Sequence, residues 1–129
     1  MRYLMSILIL LTLLLSCEKN KLCDRDSPTL YGGWIWLKSD GGGDGSTFTP
    51  ELTGERITIE ITADSTYREY LNKSLIIESK FSLAIDIHSG KPYLKLDGFI
   101  DQSYELIDCN NLILTDRVCG GFTKYYKRL

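Results

Sequence analysis

The chain of 129 residues has one histidine, three prolines and two methionines. A lone imidazole, His88, cannot supply the histidine clusters of most zinc sites, and no pair of cysteines has metal-ligand spacing. We therefore expect no metal site and no cofactor. No carboxylate or thiol can be placed beside His88, which sits after an apolar run and before Ser89-Gly90. It reads as a surface turn residue, and the chain reads as a non-enzyme with no catalytic residues. A phosphate loop is excluded, because the glycine-rich stretch Ser39 to Gly45 is not followed by Gly-Lys-Ser/Thr. Fifteen basic against seventeen acidic residues leave a net charge of −2. With no basic run and no aromatic–basic interleaving, nucleic acid is not an expected partner. Helical periodicity is almost missing beyond residue 30.

The first seventeen residues are distinctive. Arg2 is the only charge before Glu18, and residues 4–15 are apolar apart from Ser6 and Thr12. That stretch is shorter than the roughly 20 residues of a spanning helix, and its charged start and small-residue end fit an export signal. Leu14-Leu15-Ser16-Cys17 resembles the lipobox of bacterial lipoproteins. The resemblance implies removal of residues 1–16, lipidation of Cys17 with diacylglycerol and a further acyl chain such as palmitate, and attachment to a membrane through that lipid. The expected location is the cell envelope, at the outer membrane on its periplasmic or surface face. Residues 17–29 are polar and read as a tether; residues 30–129 form one domain.

Within that domain the dominant signal is alternation with period two, the mark of half-buried strands. Ile57, Ile59 and Ile61 share one face. Leu75, Ile77, Phe81, Leu83, Ile85 and Ile87 share another, over a length that calls for a bend near Ser79. Turn-forming clusters separate the runs. Eight strands are predicted, near 31–39, 55–62, 66–71, 75–87, 92–98, 103–108, 112–116 and 121–128. The fold class is all-β, an eight-stranded antiparallel up-and-down barrel, which leaves no sheet edge open; a β-sandwich is the alternative. In such a barrel the Asn110-Asn111 turn falls at the end where the chain enters, as does Cys23, whereas Cys119 falls at the opposite rim. A Cys23–Cys109 disulfide follows, since Cys109–Cys119 would span about 15 Å or more; three free thiols are the alternative.

Tyr31-Gly32-Gly33-Trp34-Ile35-Trp36 carries a Gly-x-Trp on the first predicted strand, which resembles the first-strand motif of the lipocalins. The resemblance implies that Gly32 and Trp34 belong to the barrel floor and that a basic residue from the last strand packs over the indole. Arg128 is the matching position. The order of Trp34-x-Trp36, Gly41 to Gly45, Thr49-Pro50, Ile57 to Thr62, Asp64 to Tyr67, Leu114 to Asp116, Gly121-Phe122 and Tyr126 to Arg128 is similar to that of lipocalin-like lipoproteins of Bacteroidota. The function so implied is binding of a small hydrophobic or amphipathic ligand inside the barrel, with Ile57, Ile59, Ile61, Tyr67, Phe81 and Leu83 as the expected contacts. A closed barrel that acts through its loops on a protein partner in the envelope, as an inhibitor or accessory subunit, is the alternative.

Four features stay open on sequence alone. Asp40 and Asp44 are possible calcium ligands or members of a flexible mouth loop. Tyr67, Tyr70, Tyr93, Tyr104, Tyr125 and Tyr126 line a pocket or simply favour pleated surfaces. Either Glu69 faces inward with Tyr67, or Arg68 and Tyr70 do. Ligand identity and oligomeric state are not encoded in any motif.

Overall fold

The structure, a computed structural model, describes residues 28–129. The expected signal segment, the expected lipidation site Cys17, Cys23 and most of the expected tether lie outside the described residues. Nine strands form one antiparallel sheet: β1 (Gly32–Gly41), β2 (Ser46–Phe48), β3 (Ile57–Thr62), β4 (Thr66–Leu71), β5 (Ser74–Ile85), β6 (Pro92–Leu96), β7 (Gln102–Leu106), β8 (Asn111–Asp116) and β9 (Phe122–Arg128), with one helical turn, α1 (Pro50–Thr53), between β2 and β3. β9 pairs with β1 from Trp34↔Arg128 to Gly41↔Phe122, so the sheet closes on itself. Closure makes an eight-stranded barrel and rules out the sandwich. The predicted strands all form, with ends within a few residues of their expected bounds.

The ninth strand was not anticipated. The glycine-rich stretch, read as a mouth loop, instead forms a hairpin in which Ser39, Asp40 and Gly41 pair with Phe48, Thr47 and Ser46. Asp40 accepts from Lys38 and Thr47, and Asp44 accepts from the Ser46 amide. Both carboxylates are used by the hairpin itself. No cluster of His, Cys, Asp or Glu that could hold a metal ion occurs among the described residues.

The interior is built from inward positions of β1, β3, β4, β5, β6, β8 and β9, with Tyr104 and Leu106 of β7 packed against it. Leu30, Trp34, Trp36, Ile59, Ile61, Tyr67, Phe81, Leu94, Leu96, Leu112, Leu114 and Tyr126 form one buried cluster. Each large apolar side chain so buried stabilises the fold by about 1.5–3 kcal/mol relative to exposure.

Two bulges decide which residues reach that interior. Between Trp36 and Lys38 the β1–β9 register slips by one residue. Ser39 therefore turns inward, where its hydroxyl accepts from the Trp36 indole at 2.8 Å, and Lys38 turns out over the Tyr125 ring. Between Glu69 and Tyr70 the β4–β5 register slips likewise, leaving Ile76 as the extra residue. One extra residue reverses the facing of everything beyond it, so Leu75 is exposed although Ile77 packs on the core.

The bend expected near Ser79 takes the form of a change of partner. Residues 74–80 of β5 pair with β4 and residues 81–85 pair with β6. Beyond Lys80, β4 has ended, and the apolar face of β5 loses its cover. Leu83, Ile85 and Ile87 are consequently exposed. This corrects the grouping of Leu83 with the interior ligand contacts.

Candidate cavity at the barrel mouth

The two ends of the barrel differ. At the floor, Trp34 is fully buried, its indole N–H donates to Leu30 O at 3.0 Å, and the Arg128 guanidinium lies 4.1 Å from its ring centre. Arg128 also donates to the carbonyl oxygens of Thr29, Tyr31 and Cys109. Gly32 sits at φ +130°, and a Cβ there would come within 2.7 Å of Arg128 Nη1. At Gly32, Trp34 and Arg128 a glycine leaves room for the arginine that lies over the tryptophan ring.

The mouth is open, and its wall mixes polar with apolar side chains. Continuing the inward alternation toward it brings Glu69 of β4, Gln102 of β7, Asp116 of β8 and Lys124 of β9 onto the inner wall. With Tyr67, Ile77, Leu96, Phe99 and Ile100 they line a cavity of about 190 Å³. Phe99 and Ile100 come from the β6–β7 turn. A second cavity of about 360 Å³ lies toward β1, β3 and α1, lined by Trp36, Ser39, Phe48, Ile57 and Phe122, and Lys124 borders both.

The hydrogen bonds inside the first cavity are specific. Tyr67 donates its phenol proton to Glu69 Oε2 at 2.9 Å. Asp116 Oδ1 accepts from Gln102 Nε2 at 3.0 Å and pairs with Lys124 Nζ at 3.2 Å, while Oδ2 accepts from the Phe122 amide. Burial pushes the Tyr67 phenol well above its usual pKa, and the nearby Tyr126, then Glu69, add to the shift. Tyr126 is raised for the same first reason, followed by Glu69 and Asp116. Both phenols stay neutral across physiological pH, and Tyr126 feels both carboxylates.

One atom in this network is left over. Gln102 is 5% exposed, and its Oε1 is buried without a hydrogen-bond partner. Asp116 fixes the amide orientation, because the reverse would set a carbonyl against a carboxylate. A buried acceptor without a donor typically costs about 1–3 kcal/mol, and such an atom calls for a specific explanation.

Of the expected ligand contacts, Tyr67 lines the first cavity and Ile57 the second. Ile59 and Ile61 are fully buried and Phe81 is 6% exposed; all three belong to the packed interior and line neither cavity. Of the tyrosines, Tyr70, Tyr93 and Tyr125 engage Glu60, Arg117 and Lys38. Glu69 shares the inner face with Tyr67, while Arg68 pairs with Glu78 and Glu60 outside. Gln102, Asp116 and Lys124 were not anticipated. Their signal was present, since Leu112-x-Leu114-x-Asp116 and Lys124-x-Tyr126-x-Arg128 place them in phase with core residues. His88 is exposed on its turn. Cys119 is a free, exposed thiol; the expected Cys23–Cys109 pair has one member outside the described residues.

Comparison with family models, curated proteins and solved structures finds no match for this chain. The closed antiparallel barrel is consistent with a lipocalin-like fold. The class is therefore defined by geometry: a small closed β-barrel with a closed floor and, at its mouth, a cavity of mixed polar and apolar lining.

Proposed function

We propose that the protein is a lipid-anchored binding protein of the bacterial envelope that holds a small amphipathic molecule at the mouth of its barrel. The mouth cavity, whose lining includes Gln102 with its buried, unpartnered Oε1, carries this reading. A buried acceptor without a donor calls for a specific explanation, and a ligand donor in the adjoining cavity supplies one. The apolar part of the ligand rests on Ile77, Leu96, Phe99 and Ile100, and the polar part meets the wall at Glu69 and Gln102. Ile59, Ile61 and Phe81 act from below, by filling the interior so that the ligand cannot sink toward the floor. The lipobox at Cys17 supports the membrane attachment.

Native mass spectrometry of the mature protein purified gently from its host tests the reading. A reproducible small molecule released on denaturation in stoichiometric amount is the expected result. A bare protein mass with an empty extract counts against it. The second reading, a loop-presenting barrel that binds an envelope protein, is favoured by a different feature. Leu37, Ile107, Ile113 and Tyr125 border an apolar groove of about 410 Å³ on the barrel.

A further inference from the structure

We infer that the ligand of the mouth cavity carries a positively charged amine head, presented to Glu69 and to Gln102 Oε1. This rests on the binding reading above and adds the chemical class of the ligand.

The charges on the wall do not balance. Glu69 and Asp116 are two carboxylates, and Lys124 is the one cation lining the cavity with them. Lys124 is committed to Asp116. The nearest cation in sequence to Glu69, Arg68, turns outward to Glu78 and Glu60. Glu69 receives a single hydrogen bond, the neutral one from Tyr67, and no cation pairs with it among the described residues. A carboxylate accepts about four hydrogen bonds, so Glu69 has acceptor capacity to spare. Gln102 Oε1 independently lacks a donor.

Each ligand class can be weighed against that wall. An anionic head would meet Glu69 repulsively, and the cation able to answer it is already held by Asp116. A hydroxyl would satisfy Gln102 and leave Glu69 without a cation. An ammonium brings three donors and no acceptor, supplying both deficits at once. The Phe99 ring, 46% exposed on the turn that borders the cavity, offers a face to a cation. A cavity of about 190 Å³ suits a short alkyl or aryl amine and is too small for a haem or a diacyl lipid.

The test uses the mature chain carrying Cys17→Ser, so that no lipid complicates the titration. Hexylamine, hexanol and hexanoate are compared at pH 7 by NMR titration of the labelled protein. These probes share one tail and differ only in the head. Hexylamine is expected to bind at least tenfold more tightly than hexanol, with shifts centred on Tyr67, Phe99, Ile100 and the Gln102 side-chain amide. Glu69→Gln keeps an acceptor for Tyr67 and is expected to bring hexylamine affinity down to that of hexanol measured on the same variant. Should that variant fold poorly, raising NaCl on the unaltered protein gives the same information: hexylamine binding weakens and hexanol binding does not. Equal affinities, or hexanoate ahead, overturn the amine head and leave the binding reading standing. No binding by any of the three overturns both.

Discussion

The Arg128 guanidinium stacks over the Trp34 indole and at the same time donates to three backbone carbonyls, those of Thr29, Tyr31 and Cys109. One side chain thus joins the strand that opens the barrel, the segment leading into it and the β7–β8 turn. Arg128→Ala is expected to destabilise the fold by about 3 kcal/mol, from a cation–π contact and hydrogen bonds to a charged donor that are partly screened by solvent. Arg128→Lys is expected to recover less than half of this, because an ammonium cannot reproduce the planar fork. Urea denaturation of the three proteins checks both figures.

Gly32 and Gly33 make a matched pair. Alanine at 32 would be held at φ +130° with its Cβ against Arg128 Nη1, whereas alanine at 33 would meet the tip of the flexible Leu129 side chain at 3.2 Å. Gly32→Ala is expected to cost about 2 kcal/mol or more, and Gly33→Ala less than about 1 kcal/mol. Thermal melts of both variants provide the comparison.

Along β5, Phe81 and Leu83 share a face but not an environment. Phe81→Ala is expected to cost about 3–4 kcal/mol, while Leu83→Ser should change stability by no more than about 0.5 kcal/mol. Equal losses would place Leu83 in the interior after all.

Much of the architecture was legible because alternation with period two reports the barrel wall directly. The eight strands follow from it and the barrel from their number and tight turns, whereas the floor of Gly32, Trp34 and Arg128 was implied by the resemblance to the lipocalin first-strand motif. What escaped has two physical sources. A bulge such as that at Ile76 has no marker in composition, so Leu75 looked like a core residue. A strand's exposure also depends on where its neighbour stops, which is why the end of β4 at Thr66 decides the fate of Leu83. Gln102, Asp116 and Lys124, which share their space with Glu69, were hidden for another reason. Polar residues in phase with a hydrophobic face resemble the solvated end of a strand, until closure of the barrel shows that four such ends converge on one space. The Ser39–Gly45 hairpin was obscured by its glycines, which serve its turn rather than flexibility.

The Asp86 carboxyl is held far below the usual carboxylate range by the Ser89 backbone N–H first, then by Arg117 and the His88 N–H. A depressed carboxylate stabilises the fold fully above its unfolded pKa of about 3.9, and the contribution fades as pH falls through and below that value. Relative to Asp86→Asn, the unaltered protein is expected to melt higher at pH 7, with the gap closing progressively from about pH 5 toward pH 2. Calorimetric melts across that range check the sign.

For the thiols, peptide mapping of the oxidised protein is expected to recover Cys23 linked to Cys109 and Cys119 alkylated. Cys17→Ser is expected to abolish labelling by palmitate and to release the protein from the membrane fraction. A Cys109–Cys119 peptide, or label retained by the variant, would count against these assignments.

The clamp at the floor joins residues at the two ends of the domain: Arg128 and Tyr31, bonded through Nη1, stand 97 positions apart in sequence. A long loop must close before that contact rewards the chain. A polypeptide ending even ten residues early would lack β9, the arginine and the lid on Trp34, and its β1 and β8 would face water as raw sheet edges. The last strand is thereby the condition of closure, because β1 and β8 meet only through it.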